Sequence, residues 1–74
     1  MKDITMKLSA RNQIRGTVTA IAKGATTSHV SIDIGGTTVM AAITNEAVAD
    51  LGLTVGKPAY AVIKASDVLV GVED

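Results

Sequence analysis

Among the 74 residues there is no cysteine, phenylalanine or tryptophan, and tyrosine, proline and histidine occur once each. Without cysteine, and with a single histidine, neither a disulfide framework nor a Cys/His zinc site can be built. With Tyr60 as the one aromatic, the chain lacks the stacking platform on which single-stranded nucleic acid is held. Neither sign of charge is in excess, because seven basic residues balance seven acidic ones. That balance argues against a general nucleic-acid or membrane-surface binder. No apolar run approaches the roughly 20 residues of a membrane helix, and Met1 to Leu8 has no apolar signal-peptide core. A soluble cytoplasmic protein is the expectation.

What the chain does have is aliphatic surface. The apolar fraction is 47%, mostly Val, Ile and Ala, and the mean hydropathy is positive. A chain of this length forms one domain at most. Ordering each residue costs roughly 1.5 kcal/mol, which a small core offsets with difficulty. More apolar residues than one small core needs implies that some are buried between subunits, so an oligomer is expected. Met1 to Thr5 reads as a flexible N-terminal extension, and residues 6–74 as a single domain.

The patterned part contains a long strand over Gln13 to Lys23. Period two puts Ile14, Gly16, Val18, Ala20 and Ala22 on one face and Arg15, Thr17, Thr19, Ile21 and Lys23 on the other. Gly16 inside this run predicts a bend or bulge, and Lys23-Gly24-Ala25 a turn. Ser28 to Ile34 and Thr37 to Ile43 read as a hairpin around Gly35-Gly36, since both loop positions tolerate positive φ. That loop sets Ile32 against Val39, Val30 against Ala41, Asp33 against Thr38 and Ser31 against Met40. Thr44-Asn45 caps a short helix with Glu46 in its first turn, an apolar stripe of Ala47, Val48 and Leu51, and Gly52 as its stop. Val55 to Pro58 is a turn, Ala59 to Lys64 a strand, Ala65-Ser66-Asp67 a break, and Val68 to Val72 a last strand. The chain is therefore expected to be mainly β: a five-stranded OB-like antiparallel barrel with one short helix between strands 3 and 4.

Two short segments carry the chemistry. Ser9-Ala10-Arg11, ahead of the long strand, offers a hydroxyl, backbone N–H groups and a guanidinium whose planar donor fork suits a multi-oxygen anion. Lys64-Ala65-Ser66 repeats the theme with an ammonium and a hydroxyl. Together they supply positive charge and donors, with no base or nucleophile, which fits a fully deprotonated tetrahedral dianion. Exposed strand ends are the plainer reading of either segment alone, and helix capping is the plainer reading of Thr44 and Asn45. No enzyme is expected. His29 has no triad partner at a motif spacing, Asp33, Asp50 and Asp67 are scattered one per element, and Gly35-Gly36 is followed by no Lys-Ser/Thr pair. An OB-like module for oligonucleotides or a protein partner is the alternative.

The run Ser9-Ala10-Arg11-Asn12-Gln13, with Gly16-Thr17-Val18, Lys23-Gly24, Ala41-Ala42-Ile43-Thr44, Leu51-Gly52-Leu53, Gly56 and Lys64-Ala65-Ser66, resembles the molbindin (Mop) family of molybdate-binding proteins. The same module occurs as the TOBE domain of molybdate transporters and molybdate-responsive regulators. The likeness runs from about Met6 to Val72. It implies a strand-exchanged oligomer, a hexamer built as a trimer of dimers, with molybdate or tungstate bound unchanged at subunit interfaces for molybdenum storage and homeostasis. It further implies a site formed by Ser9, Ala10, Arg11, Lys64, Ala65 and Ser66, completed by Thr44 of a neighbouring subunit. A second class of anion site, near an axis, falls at Lys23, Gly24 and Ala25. The extension Met1 to Thr5 departs from the family's short start.

Overall fold

In the computed structural model, residues 9–74 are described. The extension expected at Met1 to Thr5, and the start of the domain at Met6, lie outside them. Four antiparallel strands, β1 (Asn12–Lys23), β2 (Thr27–Asp33), β3 (Thr38–Thr44) and β4 (Pro58–Ile63), form one curled sheet in the order β3-β2-β1-β4. The helix α1 (Asn45–Leu51) follows β3 directly, and a single 3-10 turn (Ala65–Asp67) follows β4.

The hairpin forms in the expected register, with Ile32 opposite Val39, Val30 opposite Ala41, Asp33 opposite Thr38 and Ser31 opposite Met40. Gly35 and Gly36 have φ of 107° and 94°, as a loop this tight requires. The Asp33 carboxylate accepts from the Gly36 N–H at 2.9 Å. The expected helix caps form as well. Thr44 accepts from the Ala47 N–H through its hydroxyl oxygen, and Gly52 closes the C-terminus in the left-handed region at φ 62°. Of the stripe on α1, Val48 packs against the core, whereas Leu51 is exposed.

The bulge expected at Gly16 lies at Thr19. Thr17 pairs with Asp33 and Val18 with Ile32, but the next pair is Ala20 with Ser31, so Thr19 is the extra residue. Its hydroxyl donates to the Ser31 carbonyl at 3.3 Å. The bulge shifts the phase of the strand. Ile14 and Val18 face the core as expected, but beyond Thr19 it is Ile21 that packs inward, while Ala20 and Ala22 are exposed. Gly16 serves close approach instead, since a Cβ there would stand 2.4 Å from the Asp33 carbonyl oxygen.

The expected fifth strand is not formed. Residues 68–72 make no ladder, and Leu69, Val70 and Val72 are each at least 90% exposed. The sheet is therefore an open half-barrel with β3 and β4 as its edges. Its core is thin: Val18, Val30, Ile32 and Ala61 are buried, with partly buried aliphatic residues such as Ile14, Ile21, Ile43 and Leu53 around them. No helix of the described residues is long and apolar enough to cross a membrane.

Candidate functional site

The sheet sorts the candidate residues into two groups at opposite ends of β1. At its start, Asn12 pairs with Ile63 and its side-chain amide donates to the Ile63 carbonyl at 3.1 Å. The ladder ends there; Arg11 and Lys64 are the residues that immediately flank this last pair, one on each strand. Both cations therefore stand at the same end of the β1–β4 pair, and both are exposed. Ser9 and Arg11 sit in bends before the strand, and the Gln13 amide donates to the Ala10 carbonyl at 3.1 Å, which folds this segment back on itself. On the other strand, Ala65 and Ser66 enter the 3-10 turn, held by Asp67 N–H to Lys64 O at 2.9 Å. Ser9, Ala10, Arg11, Lys64, Ala65 and Ser66 thus lie at the same end of the sheet within a single chain.

Two cations at one sheet end, with hydroxyls and N–H groups beside them in sequence, offer charge and donors of the polarity an anion requires. Both cations are exposed in the single chain. Neither lines the open clefts of about 380 Å³ beside Arg15, Asp33 and Gly35 or of about 260 Å³ between α1 and the sheet. A site on an open surface needs a second surface to exclude water and fix its ligand.

The far end of β1 holds the remaining candidates. Lys23 pairs with Ser28, and Thr27 with Thr44, which brings Lys23, Gly24, Ala25 and Thr44 together. The 12 residues of β1 span roughly 36 Å at about 3.3 Å per residue, comparable to the 39 Å longest extent of the molecule. Thr44 therefore does not meet Arg11 within one chain. Its hydroxyl oxygen caps α1 by accepting from Ala47 N–H, and the hydroxyl hydrogen is left to donate elsewhere.

Two residues at this end take a role that the sequence pattern does not announce. Asn45 donates from its amide to the carbonyls of Gly24 and Ala25, at 3.0 and 3.3 Å, and accepts from the buried Ser28 hydroxyl at 2.5 Å. The signal for Ser28 was present in the alternation. It shares a face with Val30 and Ile32, and a hydroxyl on an apolar face demands a partner. Among the described residues no cluster of three or more His, Asp or Glu side chains could hold a metal ion.

The TOBE domain model matches residues 8–70. A probable molybdenum-pterin-binding protein of Haemophilus influenzae is 52% identical over 69 residues, covering 92% of this chain and all of the relative. Among solved structures, a molybdate-binding protein from Sporomusa ovata superimposes with a TM-score of 0.86 at 40% identity, over 90% of this chain and all of that one. The cytoplasmic molybdate-binding protein ModG, solved with molybdate bound, superimposes with a TM-score of 0.87 at 49% identity. This chain spans 92% of its own length in that match and 49% of ModG.

Proposed function

The chain belongs to the TOBE domain family, in its molbindin (Mop) branch, and from that premise we propose that it binds molybdate, or tungstate, as an intact oxyanion for molybdenum storage and homeostasis in the cytoplasm. The observation that supports this reading is the pairing of Asn12 with Ile63, which brings the Ser9–Arg11 and Lys64–Ser66 segments to the same end of the sheet. Arg11 and Lys64 balance the dianion's charge, and the hydroxyls of Ser9 and Ser66 donate with the adjacent N–H groups. The set holds an anion and offers no base or nucleophile to transform it, so the protein is a binder rather than an enzyme. Lys23, Gly24 and Ala25 form the second class of site at the other end of the sheet.

In this reading Thr44 of another copy completes the site, and the length of β1, which keeps the chain's own Thr44 away, supports it. A hexamer, assembled as a trimer of dimers through exchange of the 68–72 segment, supplies that copy. Support comes from two open sheet edges, a thin core, and the exposure of Leu69, Val70 and Val72, a pattern that leaves apolar surface to be covered. Light scattering is expected to give a mass near six times the 7.5 kDa protomer. Deleting residues 68–74 is expected to reduce it to a smaller particle. A parent protein that runs as a monomer would refute the assembly.

Calorimetric titration of the assembled protein tests the ligand. Molybdate and tungstate should bind far more tightly than sulfate or phosphate, with more than one anion per dimer when both classes of site fill. Equal, millimolar binding of all four anions would end the proposal.

A further inference from the structure

We infer that Asn45 and Ser28 are positioning residues for oxyanion binding, locking the Gly24–Thr26 turn to Thr44 so that the donors at this end of the sheet are held ready for the ligand. The inference rests on the proposed reading in which Thr44 and the Lys23–Ala25 segment face the anion, and it assigns work to residues outside that set.

The geometry is specific to asparagine. The Asn45 amide nitrogen donates to two successive carbonyls, Gly24 at 3.0 Å and Ala25 at 3.3 Å. Its backbone N–H donates to the next carbonyl, Thr26, at 2.9 Å. Three consecutive carbonyl oxygens are thereby drawn toward the one residue that directly follows Thr44. The peptide bonds here are trans, and in a trans peptide the C=O and the following N–H point in opposite directions. Turning the Gly24 and Ala25 carbonyls toward Asn45 therefore turns the Ala25 and Thr26 N–H groups away from it. Successive N–H groups presented on one side of a turn form a concave donor set for an anion. Carbonyl oxygens swung to that side would repel the same anion.

Ser28 fixes the amide's orientation. It is 1% exposed and sits on the core face of β2. Its hydroxyl donates to the Asn45 side-chain oxygen at 2.5 Å, which leaves the nitrogen for the carbonyls. A flipped amide would set its oxygen against two carbonyl oxygens. The network contributes no atom to the ligand and acts through the placement of Thr44 and the turn.

The test is molybdate titration of the full-length assembly in Asn45→Ala, Ser28→Ala and the double variant, all neutral changes. Asn45→Ala is expected to bind about tenfold more weakly, the equivalent of one lost hydrogen bond. Ser28→Ala should weaken binding in the same direction by less. The double variant should match Asn45→Ala, because the two residues act as one unit. Asp33→Ala, which removes the Gly36 contact in the distant hairpin, serves as the comparison: it lowers Tm and leaves the affinity of the parent. If Asn45→Ala and Ser28→Ala lower Tm but bind as Asp33→Ala does, their role is structural only and the inference is overturned. Should Asn45→Ala fail to fold, Ser28→Ala decides the matter alone. Arg11→Ala separates the two levels. Loss of binding there with parental affinity in Asn45→Ala refutes the inference alone, whereas parental affinity in Arg11→Ala refutes the site on which it rests.

Discussion

An Arg11→Ala variant is expected to bind molybdate roughly a hundredfold more weakly than the parent while assembling normally. Hydrogen bonds to a charged group contribute about 1.5–3 kcal/mol each, and a guanidinium fork can supply two in parallel. A loss of about 3 kcal/mol corresponds to roughly two powers of ten in affinity. The stability cost is small by comparison. Arg11 is exposed and precedes β1, and surface substitutions of this kind stay within about 0.5 kcal/mol. Arg11→Lys distinguishes charge from geometry: it keeps the cation and gives up the planar fork, so an intermediate loss of about tenfold is expected. Calorimetry reads the affinities, and light scattering reads the assembly. An Arg11→Ala protein with the parent's affinity would show that the charge at this sheet end is not what holds the anion.

The chemistry is legible in the sequence by residue type more readily than by place. Ser9-Ala10-Arg11 and Lys64-Ala65-Ser66 are recognisable as cation-and-hydroxyl segments, but nothing in their separation shows that they share a sheet end. That comes from the β1–β4 register, which a linear pattern does not contain. The hairpin was legible because Gly35-Gly36 and the flanking alternation specify the same register, and the helix because Thr44, Glu46 and Gly52 mark both its ends. The bulge was misplaced for a physical reason. Glycine is one way to relieve a strand, but at Gly16 it answers the closeness of β2, while the extra residue, Thr19, secures itself with a hydroxyl bond to Ser31 that a pattern of polarity does not reveal. Ile21, the one aliphatic residue among Arg15, Thr17, Thr19 and Lys23, is the trace of that phase shift. Val68 to Val72 alternates like a strand yet pairs with nothing among the described residues, since alternation reports that a face must be covered and is silent about what covers it.

Gly16→Ala is expected to be among the most damaging single changes to stability, although it adds one methyl group. The new Cβ would lie 2.4 Å from the Asp33 carbonyl oxygen and 2.7 Å from Ile32 Cγ2, with the Asp33 carbonyl carbon at 3.1 Å. Two of these atoms belong to the backbone of β2, which cannot rotate aside as a side chain would. The neighbouring pairs Thr17–Asp33 and Val18–Ile32 hold that backbone in place, and on its other side Gly16 pairs with Ala59. Relief must come from prising β1 away from β2, which loosens Val18, Val30 and Ile32, three of the four buried core residues. Overpacking of this kind costs about 3 kcal/mol. For a domain of this size that corresponds to a Tm lower by roughly 15 °C, compared at equal protomer concentration because assembly contributes to Tm. Thr17→Ala, one residue on and exposed, should stay within about 0.5 kcal/mol of the parent. Thermal unfolding of the three proteins side by side decides the point. If Gly16→Ala and Thr17→Ala melt together, the close approach of β1 to β2 is not what requires glycine there.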